Sequence, residues 1–154
     1  MNFKTGSFCS DALLADPVPL PRPQLAVSAS IFRGGKLLLV RRAHAPGKGR
    51  YSLPGGRVEF GETLHTALTR EVDEETGLRI EIVGLARWRE ALPAVSNGGH
   101  YVILSFAARW IANEPVLNDE HDDFKWLAPD ALGDLRLTDG LPEVIEAARR
   151  LIGP

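Results

Sequence analysis

The segment at residues 70–78, REVDEETGL, carries four acidic side chains close together: Glu71, Asp73, Glu74 and Glu75. Carboxylate oxygens are the ligands that Mg2+ and Mn2+ prefer, so such a cluster could hold a divalent cation. The same cluster on a solvated face would be ordinary surface charge. The direction in which the carboxylates point decides between these two interpretations.

That direction follows from the helix that the segment belongs to. Residues 63–76 have helical character, and Gly77 suits the left-handed cap that ends a helix. With Leu64 at zero and about 100° per residue, Glu71 falls at about 340° and Glu75 at about 20°, within the apolar stripe of the helix. Glu74 falls at about 280°, beside Ala67, so all three glutamates are expected on the inward side of the helix.

Charge balance also favours a bound cation. Glu71 and Glu75 stand four residues apart, and Arg70 is expected to pair with Glu74, which leaves the other two glutamates without a local cation. Their repulsion costs roughly 0.2–0.5 kcal/mol on an exposed helix and much more in an apolar setting. The alternative, a helix end that emerges into water, stays open on helical phase alone.

The composition describes one globular domain without a large basic surface. The chain has 154 residues, of which 44% are hydrophobic and 25% charged. A net charge of -2 and a pI near 6.1 argue against binding of long nucleic acid. Cys9 has no partner for an internal disulfide, and no apolar run reaches the roughly 18 residues of a membrane span. The N-terminal residues lack the apolar segment of a signal peptide, so a cytoplasmic protein is expected.

Proline, glycine and β-branched residues divide the chain into elements. Residues 1–23 are interpreted as a Pro-rich extension and residues 24–154 as the domain. Strands are predicted on both sides of Gly34 and Gly35 and at residues 78–88, 100–110 and 122–127, and helices at residues 63–76 and 141–153. This order predicts an α/β fold in which helices cover a mixed sheet.

The signature of a known family coincides with the acidic segment. Five residues separate Gly56 from Glu62, and seven separate Glu62 from Arg70, which begins REVDEETGL. In these spacings the sequence resembles the Nudix hydrolases, and the resemblance extends from about residue 24 to the C-terminus. It implies a Nudix-type α/β/α sandwich with a mixed β-sheet between helices. It also implies hydrolysis of a nucleoside diphosphate linked to another moiety.

The resemblance carries a metal site with it. Glu71 and Glu75 would be the principal ligands of Mg2+ or Mn2+, and Glu74 a third ligand or a near neighbour. The carbonyl of Gly55 would complete the set. Arg70 would hold Glu74 in orientation.

The remaining acidic positions leave alternatives open. Glu62 would assist through bound water, or would only favour the helix dipole as an acid in the first turn. The general base implied by the resemblance is a signature glutamate, Glu71 or Glu74, or else Glu120 from a later loop, with Asp122 and Asp123 as further candidates. His121 receives no role, because a surface position explains it equally well.

Several residues could contact the substrate. Phosphate could be bound by Arg41, Arg42, Arg50 or Arg57, although surface solubility explains these arginines equally well. A base could stack on Phe60, Trp88, Tyr101 or Trp126, although aromatic residues in strands more often belong to the core. In the family, a proline at a set distance after the signature accompanies the ADP-ribose pyrophosphatases, and Pro93 stands fifteen residues after Leu78.

The resemblance thus favours hydrolysis of ADP-ribose to AMP and ribose 5-phosphate with Mg2+ or Mn2+. A (d)NTP pyrophosphatase that cleans the nucleotide pool is the alternative, and a non-catalytic nucleotide-binding or regulatory module is a second. The expected partner is a small nucleoside diphosphate derivative, with no long nucleic acid and no membrane. A homodimer is open, since many relatives dimerise.

Overall fold

The computed structural model of the protein describes residues 21–94 and 99–154. Most of the predicted Pro-rich extension, including Cys9, lies outside these ranges, so the domain boundary between residues 23 and 24 stays a prediction. In the described parts of the chain, no helix is long and apolar enough to cross a membrane. The cytoplasmic location stays a prediction as well.

Strands and helices follow one another in the predicted order. The strands are β1 (Gln24–Arg33), β2 (Lys36–Arg42), β3 (Tyr51–Ser52), β4 (Gly55–Arg57), β5 (Arg79–Ala91), β6 (Tyr101–Ala112) and β7 (His121–Leu127). The helices are α1 (Leu64–Thr76), between β4 and β5, and α2 (Leu141–Ile152), after β7. The short strands β3 and β4 lie in a turn-rich segment whose pairing the sequence pattern did not predict.

The strands form one mixed sheet in the order β3-β2-β1-β6-β5, with β4 paired to β1 and β7 paired to β2. Strand β1 runs parallel to β6, and the other pairs are antiparallel. On its other edge, β1 bonds to β4 at residues 26–28 and to β2 at residues 32–33. The sheet therefore forks along β1, and Gly55 and Gly56 lie on one arm of the fork.

Helices cover both faces of this sheet, as predicted for an α/β/α sandwich. The first core contains Val27, Ile31 and Leu38 from the sheet and Leu68 and Val72 from α1. The second core packs α2 against the opposite face, through the buried residues Phe32, Leu37, Leu39, Ala107, Val144 and Ile145. Alternate residues of a strand point to opposite faces, so a single strand contributes to both cores.

Local sequence signals explain where α1 begins and ends. Thr63 caps its N-terminus, because the Thr63 hydroxyl accepts a hydrogen bond of 3.1 Å from the Thr66 amide. Gly77 ends the helix in the left-handed conformation with φ of 68°. The predicted helix at residues 63–76 is thus confirmed, and Glu62 lies before the cap. The interpretation of Glu62 as an acid in the first helical turn is therefore wrong.

Candidate active site

Helix α1 presents Glu71 and Glu75 inward, as the helical phase predicts, whereas the expectation that Glu74 also faces inward is wrong. Only 14% of the Glu71 side chain and 2% of the Glu75 side chain are exposed, whereas 55% of the Glu74 side chain is exposed. Because α1 packs Leu68 and Val72 into the first core, residues one turn along the same side enter the protein as well. Glu74 stands outside this pair of buried carboxylates.

Glu75 is the most buried acid of the site and is held by two donors. Its Oε2 accepts a hydrogen bond from the Gly55 amide at 3.1 Å and lies 3.0 Å from Nε2 of His121. Burial raises the pKa of Glu75, and the His121 and Gly55 contacts act in the opposite direction. The predicted surface position of His121 is wrong, since this residue is only 7% exposed.

Arg70 connects more acids than the sequence indicated. Its Nε and Nη2 bond both carboxylate oxygens of Glu62, at 2.7 and 2.8 Å, and its Nη1 lies 2.9 Å from Glu71 and 3.3 Å from Glu74. The expectation that Glu71 has no local cation is therefore wrong. The paired bonds from Arg70 lower the pKa of Glu62 to about 2. Glu62 thus fixes the guanidinium that in turn contacts Glu71 and Glu74.

The Glu71 carboxylate lies against Gly56 of strand β4. Burial raises the pKa of Glu71, and the hydrogen bond from Arg70 opposes that rise only in part. Gly55 and Gly56 face this carboxylate and that of Glu75: the Gly55 amide bonds Glu75, and Gly56 has no room for a side chain beside Glu71. The backbone of Gly55 and Gly56 therefore packs directly on both acids.

A third carboxylate, that of Glu120 in the loop before β7, lies near Glu75. Ligand atoms of Glu75, Glu120 and His121 all lie within 4.8 Å of one another. The Glu120 side chain is exposed and makes no hydrogen bond or ion pair with any residue in the described ranges. Its charge raises the pKa of both Glu71 and Glu75 further, after burial, the larger cause.

These residues fit a hard divalent cation. Three carboxylates without enough positive partners repel one another, and a bound cation would remove both that repulsion and the cost of burying Glu71 and Glu75. The donors are mainly oxygens, which suit Mg2+ and Mn2+. The carbonyl of Gly55 belongs to the same turn, although the contact seen in the structure is made by its amide.

The two acids at the start of β7, Asp122 and Asp123, point elsewhere. Asp122 bonds Nε of Arg41 at 2.6 Å, and Asp123 accepts a short hydrogen bond from the Tyr51 hydroxyl and lies 3.8 Å from Lys125. The structure therefore separates Asp122 and Asp123 from the acidic cluster. Arg41, which is engaged by Asp122, also lies outside the cleft described next.

A cleft of about 1210 Å³ opens beside the acidic cluster. It is lined by Glu71, Glu120, Gly55 and Gly56 and by four arginines, Arg42, Arg50, Arg57 and Arg89. Three of the four arginines that the sequence suggested as phosphate contacts, Arg42, Arg50 and Arg57, are thus brought together. Sequence reasoning missed Arg89, whose side chain makes no hydrogen bond or ion pair with the residues that the structure describes. Only the pairing of β5 with the sheet places it here.

A smaller recess of about 190 Å³ adjoins the cleft and shares Arg42, Arg89, Gly55 and Gly56 with it. Its other polar lining is Ser28, Ser52, Ser105, Thr138 and Asp139. The Ser52 hydroxyl is buried and has no hydrogen-bond partner among the described residues. The unpaired guanidinium of Arg89 is available to a polar ligand.

The other predicted substrate contacts are less well supported. Tyr101 lines the cleft, but Trp126 packs against the first core. Phe60 and Trp88 are exposed and do not line the cleft. Pro93 is exposed just before residues 95–98, which lie outside the described ranges, so its role stays a prediction.

Comparisons with known proteins agree with this architecture. The family model of the NUDIX domain matches residues 22–148. The chain belongs to the NUDIX family. It is 37% identical over 98 residues to an ADP-ribose pyrophosphatase of Methanocaldococcus jannaschii, a match that covers 64% of this chain and 57% of that protein.

Two further relatives span more of the fold. The chain is 33% identical over 113 residues to a putative 8-oxo-dGTP diphosphatase 2 of Mycobacterium tuberculosis, covering 73% of this chain and 78% of that protein. The crystal structure of a MutT NUDIX hydrolase from Burkholderia pseudomallei superposes with a TM-score of 0.75 at 32% identity, covering 83% of this chain and 99% of that one. The domain is thus a Nudix pyrophosphohydrolase domain, a class that generally uses a divalent metal. The names of these relatives differ in substrate.

Proposed function

We propose that this Nudix protein hydrolyses ADP-ribose to AMP and ribose 5-phosphate with Mg2+ or Mn2+. The observation that carries the proposal is the cleft in which Glu71 and Glu120 face Arg42, Arg50, Arg57 and Arg89. A cleft lined by both carboxylates and arginines suits a pyrophosphate that is flanked by polar groups. The name of the Methanocaldococcus jannaschii relative supports ADP-ribose in particular.

Different residues would bind the metal and orient its ligands. Glu71 and Glu75 would hold the metal, with the Gly55 carbonyl and Glu74 as further oxygen donors. Arg70 would keep Glu71 and Glu74 in orientation, since it contacts both. When bound, a divalent ion would neutralise charge on the pyrophosphate and lower the pKa of water.

Glu120 is our proposed general base. Its carboxylate is accessible from the cleft and is not engaged by another described residue, so it is free to accept a proton from water. The oxygen of that water would form a bond to one phosphorus of the bridge, while the bond from this phosphorus to the bridging oxygen breaks. The products, AMP and ribose 5-phosphate, account for all atoms of ADP-ribose and one water.

The recess suits the sugar or base of such a substrate. Its lining includes Asp139 and the Arg89 guanidinium, which are groups that bond hydroxyls, ring nitrogens or phosphate. Its volume of about 190 Å³ accommodates one such moiety beside the larger cleft. This is the feature through which we expect the protein to choose among pyrophosphates.

A second candidate substrate is a (d)NTP, especially an oxidised one. The name of the Mycobacterium tuberculosis relative favours it. Purified protein should be incubated with ADP-ribose, NADH, a dinucleoside polyphosphate and 8-oxo-dGTP in the presence of Mg2+, and the products separated by chromatography. We expect AMP and ribose 5-phosphate from ADP-ribose. Release of pyrophosphate from 8-oxo-dGTP without turnover of ADP-ribose would overturn the assignment.

Replacing one of the proposed metal-binding glutamates distinguishes an enzyme from a non-catalytic binding module. We expect Glu71→Gln to reduce hydrolysis by more than about 100-fold, because loss of a ligand costs more than the loss of a residue that orients one. Glu81→Gln, an exposed position on β5, serves as the control and should keep full activity. Equal activity of Glu71→Gln and Glu81→Gln would contradict catalysis at this site.

A further inference from the structure

His121 is a buried side chain in the site to which neither the family signature nor the proposed reaction assigns a role. Its Nε2 lies 3.0 Å from Oε2 of Glu75, and only 5% of its side chain is exposed. Its Nδ1 is buried and has no hydrogen-bond partner in the described residues. An N–H at Nδ1 would be buried without an acceptor, so the proton belongs on Nε2, which donates to Glu75.

The hydrogen bond from His121 restricts how Glu75 can turn. Oε2 of Glu75 already accepts the Gly55 amide at 3.1 Å, so this one oxygen receives donors from two different strands. Two donors from different directions fix the plane of a carboxylate more firmly than one. The other oxygen of Glu75 then keeps a set direction.

His121 also connects Glu75 to the loop that carries Glu120. Backbone bonds already dock this loop on the end of α1: the Val116 amide bonds the Thr76 carbonyl at 2.9 Å, and the Asn118 amide bonds the Glu75 carbonyl at 3.3 Å. These bonds fix the backbone, whereas the His121 bond reaches the carboxylate itself. Since Glu120 and His121 are adjacent, the same bond sets the distance between Glu75 and Glu120.

We propose that His121 is a positioning residue, which orients the Glu75 carboxylate for the divalent cation and keeps Glu120 beside it. The imidazole acts as a hydrogen-bond donor and not as a metal ligand, because its Nε2 is directed at Glu75 and its Nδ1 is buried. Outer partners of this kind typically change metal affinity or activity by about 10–100-fold. This inference rests on the proposed metal-dependent function.

The test compares His121→Leu, which fills the space without a donor, with His121→Gln, whose amide can replace the Nε2–H. Mn2+ affinity is measured by electron paramagnetic resonance on the substrate-free protein. The values of kcat and KM are measured in steady-state assays with ADP-ribose. We expect His121→Leu to weaken Mn2+ binding about 10–100-fold and to lower kcat more than it raises KM. His121→Gln should recover most of both. His65→Gln, an exposed position on α1, is the control.

Thermal unfolding separates this role from a purely structural one. If His121→Leu lowers the melting temperature but binds Mn2+ as tightly as the unchanged protein, His121 does not position Glu75 and the inference fails. A magnetic coupling between bound Mn2+ and a histidine nitrogen in the electron paramagnetic resonance spectrum would also overturn the inference. His121 would then be a metal ligand. If ADP-ribose is not hydrolysed at all, the proposed substrate fails, while the Mn2+ measurements still decide the role of His121.

Discussion

Gly56 lies directly against the carboxyl group of Glu71. A methyl group at Gly56 would fall 2.4 Å from the carboxyl carbon and 2.5 and 2.6 Å from the two oxygens. Distances this short are far inside van der Waals contact, so the absence of a side chain at Gly56 is what allows Glu71 to occupy its position. The glycine of β4 and the glutamate of α1 thus depend on each other.

Gly56→Ala should therefore displace Glu71 and weaken the site. We expect kcat/KM to fall about 10–100-fold and Mn2+ binding to weaken, because a misplaced ligand no longer matches the others. Gly84→Ala is the matched control, since its added methyl would lie 3.9 Å from a Leu151 methyl carbon, an ordinary contact. If Gly56→Ala keeps full activity and metal affinity, Glu71 is not a ligand at this position.

Arg89 should contribute to binding of the substrate and not to the chemical step. It lines both the cleft and the recess, and its side chain has no hydrogen bond or ion pair with another described residue, so we expect it to bond an oxygen of the substrate. A charge-assisted hydrogen bond contributes about 1.5–3 kcal/mol, which corresponds to an increase in KM of roughly 10–100-fold in Arg89→Ala.

Arg87 provides a control for that change. It lies on the same strand, β5, but is exposed and lines neither cavity. Arg87→Ala should leave kcat and KM for ADP-ribose unchanged in steady-state assays. A large fall in kcat for Arg89→Ala with KM unchanged would show that Arg89 acts on the transition state instead.

Glu62 should make the stability of the protein depend on pH in the acid range. Arg70 lowers the pKa of Glu62 to about 2 in the folded state, from 4.5 as the ordinary value. Because the folded pKa is the lower one, the ionised carboxylate stabilises the fold above about pH 4.5, and this contribution is lost as the pH falls toward 2. Glu62→Gln should thus be less stable than the unchanged protein at pH 7.

Urea unfolding at several pH values measures this effect. The difference in free energy of unfolding between the two proteins should shrink steadily from pH 4.5 downward. A difference that stays constant over this range would mean that the Glu62 carboxylate gains nothing from Arg70 in the folded state.

The inward direction of Glu71 and Glu75 could be predicted because it depends on local geometry. Helical rotation is set by the backbone, so the phase of α1 follows from Leu64 and its neighbours. The turn at Gly34 and the end of the helix at Gly77 are equally local, since both need the left-handed conformation that glycine adopts readily.

The partners of the charged residues could not be predicted, because they depend on how distant segments meet. Arg70 prefers Glu62, eight residues earlier, because the chain turns back before Thr63. His121 lies 46 residues from Glu75 in sequence and reaches it only when β7 pairs with β2. Arg89 lies in the cleft because β5 pairs with β6. The residues next to it in the sequence do not predict this position.

The two parts of the proposed site, the acidic cluster and the recess, are associated with helices on opposite faces of the sheet. The acidic residues stand on α1, which packs on one face, while the recess is bounded by Leu141 and Val144 of α2, which packs on the other. If the recess binds part of the substrate, as proposed, substitutions around α2 should alter which compound is accepted without touching the carboxylates. A single hydrolytic apparatus could in this way be retained through evolution while the range of compounds it degrades diversifies.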